Sequence, residues 1–301
     1  MDVSLRSYLD TFAPGIFVLL WSTGFIGSKL GAPYIEPFVF LSLRFLLVLP
    51  LLLVLILATR ASWPKSGTEV MHCLVAGALI HGIYLGGIFY AIDNGMPAGI
   101  AALVLGLQPL LTALLAGPLL GEKVAARHWA GLAVGACGLL LVVAPRLGVD
   151  ASGLTPVNAL VCLLAVAGMS VGTVYQKRYA GGIDLLSGTM VQYAGALLIV
   201  VPLALTESWA IVWSGEMIFA MGWLVLVLSI GAILLLMVLI RRGSAARVAS
   251  LFYLVPVAAA IESYFLFGET LTLVQIAGSA LVVGALLMIR ERRVGTRRTP
   301  A

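Results

Sequence analysis

The chain is 301 residues long, 61% hydrophobic and only 10% charged, with a formal net charge of +5. A soluble domain carries about 25% charged residues, so this composition excludes a water-soluble globule and specifies a polytopic membrane protein. The three cysteines, Cys73, Cys137 and Cys162, lie in or beside apolar runs without ligand-like spacing, which excludes a disulfide framework or a cysteine metal site.

Taken in order, the apolar runs give ten spans of bilayer-crossing length: 13–31, 36–58, 70–92, 96–120, 126–144, 154–178, 184–206, 217–240, 244–267 and 271–290. The first lacks a basic n-region and a small-residue cleavage site, so a removed signal peptide is not expected. It is also the least hydrophobic, with Trp21, Ser22, Thr23, Ser28 and Lys29. A lipid-facing helix would not carry so many polar groups, and the expectation is that it packs inside the bundle. With ten spans both termini share a side, and 15 of the 18 Lys and Arg residues fall on it, five of them in the tail after Met288. The other side has Arg146, while Lys29 and Arg44 fall within spans. The positive-inside rule then puts both termini in the cytoplasm. The basic tail reads as an anchor at the anionic inner leaflet.

The fourth span recurs as the ninth. Met96–Glu122 aligns without a gap on Gly243–Glu269: Pro109 falls on Pro256, Gly121 on Gly268 and Glu122 on Glu269, each 147 residues on. The first and sixth spans match at 148, with Ser22 on Ser170, Gly24 on Gly172 and Lys29 on Lys177. Internal self-similarity of this kind governs the fold. Five spans per repeat is odd, so equivalent helices cross in opposite directions. The fold expected is an all-α membrane protein: ten transmembrane helices as two inverted five-helix repeats around a central cavity. The repeats are placed at 1–146 and 147–290, with a basic cytoplasmic tail at 291–301. Secondary transporters share this architecture, with the solute site near the midplane at the repeat interface.

The segments W-S-T-G-F-I-G-S-K in span one, L-R-F in span two, P-A-G-I-A-A…Q-P…G-E in span four and Y-L-V-P…G-E in span nine resemble the drug/metabolite transporter superfamily. The resemblance is to its ten-helix branch of two EamA-type repeats and covers nearly the whole chain. It implies a carrier of small organic solutes, similar to bacterial exporters of amino acids and related metabolites in the inner membrane. It also implies that helices three, four, eight and nine, with one, two, six and seven, surround the cavity, and that five and ten are peripheral. Substrate identity does not carry over.

Polar residues inside spans mark function by default. At 1.5 Å per residue, His81 and Gln108 lie roughly 16 and 18 Å from the outer ends of their spans, near the midplane. Tyr84 shares a helix face with His81. These three form the leading site group, able to orient an amino acid or similar solute; bridging of helices by hydrogen bonds is the competing role. Arg44 and Glu262, roughly 12 and 8 Å deep, are expected to pair as a salt bridge. The alternative is that Arg44 or Lys29 meets a substrate carboxylate and Glu262 an amine or a proton. Tyr253 and Trp21 are weaker candidates, with core packing as their simpler role. Pro109 and Pro256 remove matched helix hydrogen bonds and predict paired kinks, while Gly121-Glu122 and Gly268-Glu269 read as helix stops.

The function expected is a secondary transporter exporting a small metabolite, an aromatic or other neutral amino acid, by alternating access. Carriage of nucleotides, phosphorylated sugars or drugs is the alternative; phosphorylated solutes would want two or more cavity cations. An intramembrane enzyme finds no support: HExxH, paired aspartates and a P-loop are all missing. No cofactor, metal or nucleic acid is expected, and the partners are a small-molecule substrate and the lipid bilayer. Gly131, Gly135 and Gly138 in span five suit either a homodimer interface or internal packing.

Overall fold

The computed structural model describes residues 3–147, 154–267 and 270–289. The Gly268-Glu269 stop, the basic tail and the side chain of Lys29 lie outside the described residues. Nine of the described helices are long and apolar enough to cross a membrane, and Leu273–Ile289 is a shorter apolar one. In chain order they are α1 (Val3–Gly31), α2 (Pro37–Thr59), α3 (Gly67–Asp93), α4 in two halves (Ala98–Leu105 and Gln108–Leu120), and α5 (Ala126–Leu147). There follow α6 (Pro156–Ala180), α7 (Leu185–Ala204), α8 (Gly215–Arg242), α9 in two halves (Ala245–Ser250 and Leu254–Phe267) and α10 (Leu273–Ile289). This is the all-α, ten-helix bundle the sequence specifies. One face carries the links rich in Lys and Arg and is called the basic face below.

Short polar motifs start and stop the helices. Ser66 Oγ accepts from Glu69 N, Ser214 Oγ from Met217 N and Ser244 Oγ from Arg247 N. Thr155 and Asn158 form a reciprocal capping box at α6, filling donors that would otherwise be orphaned. Gly121 ends α4 at φ +69°, a left-handed cap that glycine adopts without strain. The N-terminus of α2 is capped from a distant loop: Glu207 accepts from Phe38 N at 3.0 Å and Val39 N at 2.7 Å. Burial pushes the Glu207 carboxyl above its usual range, against the downward pull of those two donors.

Both duplicated spans are broken. The first half of α4 closes at Gly106, whose N–H bonds Ala102 O, and the second restarts with Leu111 N on Leu107 O. In α9 the break is a tight turn over Leu251–Tyr253. Pro109 and Pro256 each sit in the first turn of the second half, where a missing N–H is tolerated. A second matched irregularity is a wide π-turn in α3 over Ala78–Ile83 and in α8 over Leu224–Ala232.

The repeats interlock. α2 and α3 lie along α7, α3 and α4 along α6, α1 against α8 and α9, and α5 along α10. Two glycines let α3 and α7 touch backbone to backbone: a Cβ on Gly77 would stand 1.8 Å from Gln192 O, and one on Gly195 2.2 Å from Leu74 O. The glycines of span five are used internally. Gly131 faces Ile289, Gly135 the Tyr253 ring, and Gly138 the backbone of Gly278. The expectation for α1 holds on one face alone: Phe17, Val18 and Ser22 are buried, while Phe12, Ile16 and Leu19 are exposed. Its apolar residues outnumber the polar ones enough to leave a lipid-facing stripe.

Candidate functional site

A cavity of about 660 Å³ opens on the face opposite the basic one and reaches the middle of the bundle. Ala32, Pro33, Ile92 and Asp93 rim it; Trp21, Phe40, Tyr84 and Phe89 form much of its wall; Arg44, His81 and Tyr193 lie at its inner end. The lining is overwhelmingly apolar, as solute pockets are, with a few polar groups converging.

Those polar groups are held by α2, α3, α7 and α8. Arg44 Nε donates to Ser229 Oγ at 2.7 Å, and Tyr193 OH donates to Ser229 O at 2.6 Å. His81 stacks on Tyr193 with ring centroids 4.7 Å apart. Phe45 packs on Tyr193 at 5.1 Å and lies 6.0 Å from the Arg44 guanidinium carbon. Arg44 is only 6% exposed, and among the described residues no carboxylate lies within ion-pairing distance of it. Its positive charge therefore faces an aromatic and apolar cavity without a counter-ion. A planar guanidinium in such a place suits a carboxylate, which it can bind in two-pronged fashion.

The expected Arg44–Glu262 salt bridge is absent. Glu262 instead accepts from Ser22 Oγ at 2.6 Å, between α9 and α1. Depth along the helix was matched, but azimuth was not, because α2 packs on α7 and α8 while the second half of α9 packs on α1. Of the leading group, His81 and Tyr84 meet in the cavity together with Arg44 and Trp21. Gln108 does not reach it: buried at the break of α4, its side-chain Nε2 contacts Thr112 Oγ1 at 3.4 Å and its backbone carbonyl accepts from Ser170 Oγ. Tyr253 is buried in a separate apolar cluster, against Gly135. α5 and α10 pack together as a pair, but they are less peripheral than the resemblance implies: Val142, Val143 and Gln275 touch the cavity near its mouth.

Tyr193, Ser229 and Gln192 were not singled out from the sequence, although the repeat points to them. The caps of α2 and α7, Glu36 and Asp184, stand 148 residues apart, as do Ser66 and Ser214 at α3 and α8. At that offset Arg44 falls on Gln192, Phe45 on Tyr193 and His81 on Ser229. Phe45 thus packs on its own image, Tyr193, and Arg44 bonds the image of His81, Ser229, as a pseudo-two-fold relation between the repeats would have it.

On the basic face the bundle is shut. Lys177 Nζ bonds Glu122 Oε1 at 2.7 Å and also donates to Gly243 O. Glu122 Oε1 accepts from Ala245 N at 2.9 Å as well. One carboxylate and one ammonium therefore tie the ends of α4, α6, α8 and α9. The Gly-Glu stop of the fourth span is thus more than a helix terminator.

An inverted-repeat bundle with a midplane cavity open to one face defines a membrane transporter. The EamA-like transporter family model matches twice, at residues 15–144 and 157–290. The chain belongs to the EamA-like transporter family, in the drug/metabolite transporter superfamily. Among its relatives is the uncharacterized inner membrane transporter YedA of Escherichia coli strain K12, 28% identical over 90% of this chain and 87% of that one. Another is a probable amino-acid metabolite efflux pump of Salmonella typhimurium, 27% identical over 92% and 93%. A solved crystal structure superposes with a TM-score of 0.77 at 22% identity, covering 92% of this chain and 95% of that chain. That likeness speaks to the fold.

Proposed function

We propose that this transporter is a secondary carrier exporting small carboxylate-bearing metabolites, amino acids foremost, by alternating access, and that it is not an enzyme. The observation that carries the reading is Arg44, a buried guanidinium with no carboxylate partner among the described residues, at the inner end of an aromatic cavity. The solute's carboxylate docks on Arg44, His81 and Tyr84 orient its polar groups, and Trp21, Phe40 and Phe89 cover its apolar body. The two repeats, 1–146 and 147–290, move against each other about this point, with the breaks at Pro109 and Pro256 as flexible joints. The basic face, and with it both termini, lies in the cytoplasm by the positive-inside rule. The inner membrane is the natural location, as the name of the YedA relative has it, and the efflux-pump relative supports export. Among the described residues Arg44 is the one Lys or Arg lining the cavity, which argues against nucleotide or sugar-phosphate carriage.

The test is counterflow uptake of labelled neutral amino acids into proteoliposomes. Wild type should show saturable exchange. Arg44→Gln should raise KM by about tenfold or more, as loss of a charged hydrogen bond of roughly 1.5–3 kcal/mol implies. Exchange of no amino acid by folded protein would overturn the solute class, and an Arg44→Gln variant with unchanged KM would overturn the docking.

A further inference from the structure

The basic face carries a small cleft, too tight to admit a water molecule, lined by eleven residues of α3, α6, α7, α8 and the link before α7. Eight of the eleven fall, 148 residues back, on residues that line the open cavity. Ile183 falls on Ile35, Gly188 on Phe40, Gln192 on Arg44, Met237 on Phe89 and Arg241 on Asp93. The cavity takes in only 29 of the 301 residues, so the correspondence is not accidental. The cleft is the inverted image of the cavity, collapsed.

We infer that this cleft is the second half of the solute path: the vestibule through which the carrier loads from the basic face. The inference rests on reading the open cavity as the solute site. In the opposite state the cleft widens as the cavity closes, and Gln192 takes the station that Arg44 holds now. The chemistry of the second station differs. It presents the amides of Gln192 and Gln176, already joined at 3.1 Å, and one cation, Arg241, which is tied to Ile183 O. A zwitterionic or carboxylate solute suits it, bound by neutral donors first and by the guanidinium of Arg44 only after the repeats have moved. The Glu122–Lys177 knot holds the vestibule shut, since it joins the ends of four helices at that face.

Cys73 lines the cleft and is fully buried, so it reports opening directly. In a background carrying Cys137→Ala and Cys162→Ala, a bulky charged maleimide is applied to each face of reconstituted protein. A second reporter, Leu85→Cys, lines the open cavity, with Cys73→Ala in that variant. Glu122→Gln should raise Cys73 modification from the basic face about tenfold, as when a minor state rises from roughly 1% to 10%. It should also slow Leu85→Cys modification from the other face, and Lys177→Met should act in the same way. Reciprocity is the decisive readout, because local loosening would raise the first rate without lowering the second. Unchanged rates in both variants, or a rise at Cys73 alone, would overturn the inference. No solute enters this experiment, so its failure would leave the counterflow result standing, and a negative counterflow result would leave the vestibule standing.

Discussion

A guanidinium in the middle of a membrane helix costs about 2.5–3.5 kcal/mol on insertion scales. Arg44 offsets part of that through one bond to Ser229 and the flank of Phe45. Ser229 in turn takes the Tyr193 hydroxyl on its carbonyl, so one residue of α8 orients both a cation and an aromatic wall. Ser229→Ala leaves the Arg44 Nε without its partner, an expected loss of about 1–3 kcal/mol. It should appear as a lowered Tm in detergent together with a raised KM in counterflow. A lowered Tm with KM unchanged would mean that the orientation of Arg44 does not matter to the solute. Arg44 and His81 were legible in the sequence because polar groups within apolar runs are conspicuous. Tyr193 and Ser229 were not, since a tyrosine or serine in such a run is ordinary, and only the repeat offset applied to Phe45 and His81 exposes them. Glu262 misled for a physical reason: depth can be counted along a chain, but the azimuth of a helix is fixed by its neighbours.

Among the elements, α3 and α7 make the tightest crossing. Gly77 and Gly195 meet backbone there, and a methyl on Gly77 would overlap the carbonyl of Gln192. Gly77→Ala must therefore push the helices apart, and an overpacking cost of about 1–3 kcal/mol or more is expected, measurable as a drop in Tm. The repeat images of these glycines are Val225 and Leu47. The close contact thus exists on the basic half alone, which favours closure at that face. The remote cap of α2 makes a second element-scale prediction. Glu207→Ala should cost about 0.5–2 kcal/mol, the range for lost N-caps, while a neighbouring change at exposed Leu205 should leave Tm unaltered. Span number and the matched proline sites were plain in the sequence, because length and missing N–H groups are local properties. The π-turns were not, because they answer to packing between repeats, which no single helix encodes.

At the scale of the whole molecule, the helix pairings run mostly between the repeats: α2 with α7, α3 with α6 and α7, α1 with α8 and α9, and α5 with α10. The glycine-lined seam of α5 and α10 brings the backbones of Gly138 and Gly278 together. Each repeat buries its apolar surface against the other more than against itself. Two separately encoded polypeptides, cut in the link between α5 and α6, should find one another in the bilayer and rebuild the carrier, with exchange restored only on co-expression. Interfaces of this kind make the molecule a heterodimer of antiparallel halves that happens to be translated as one chain.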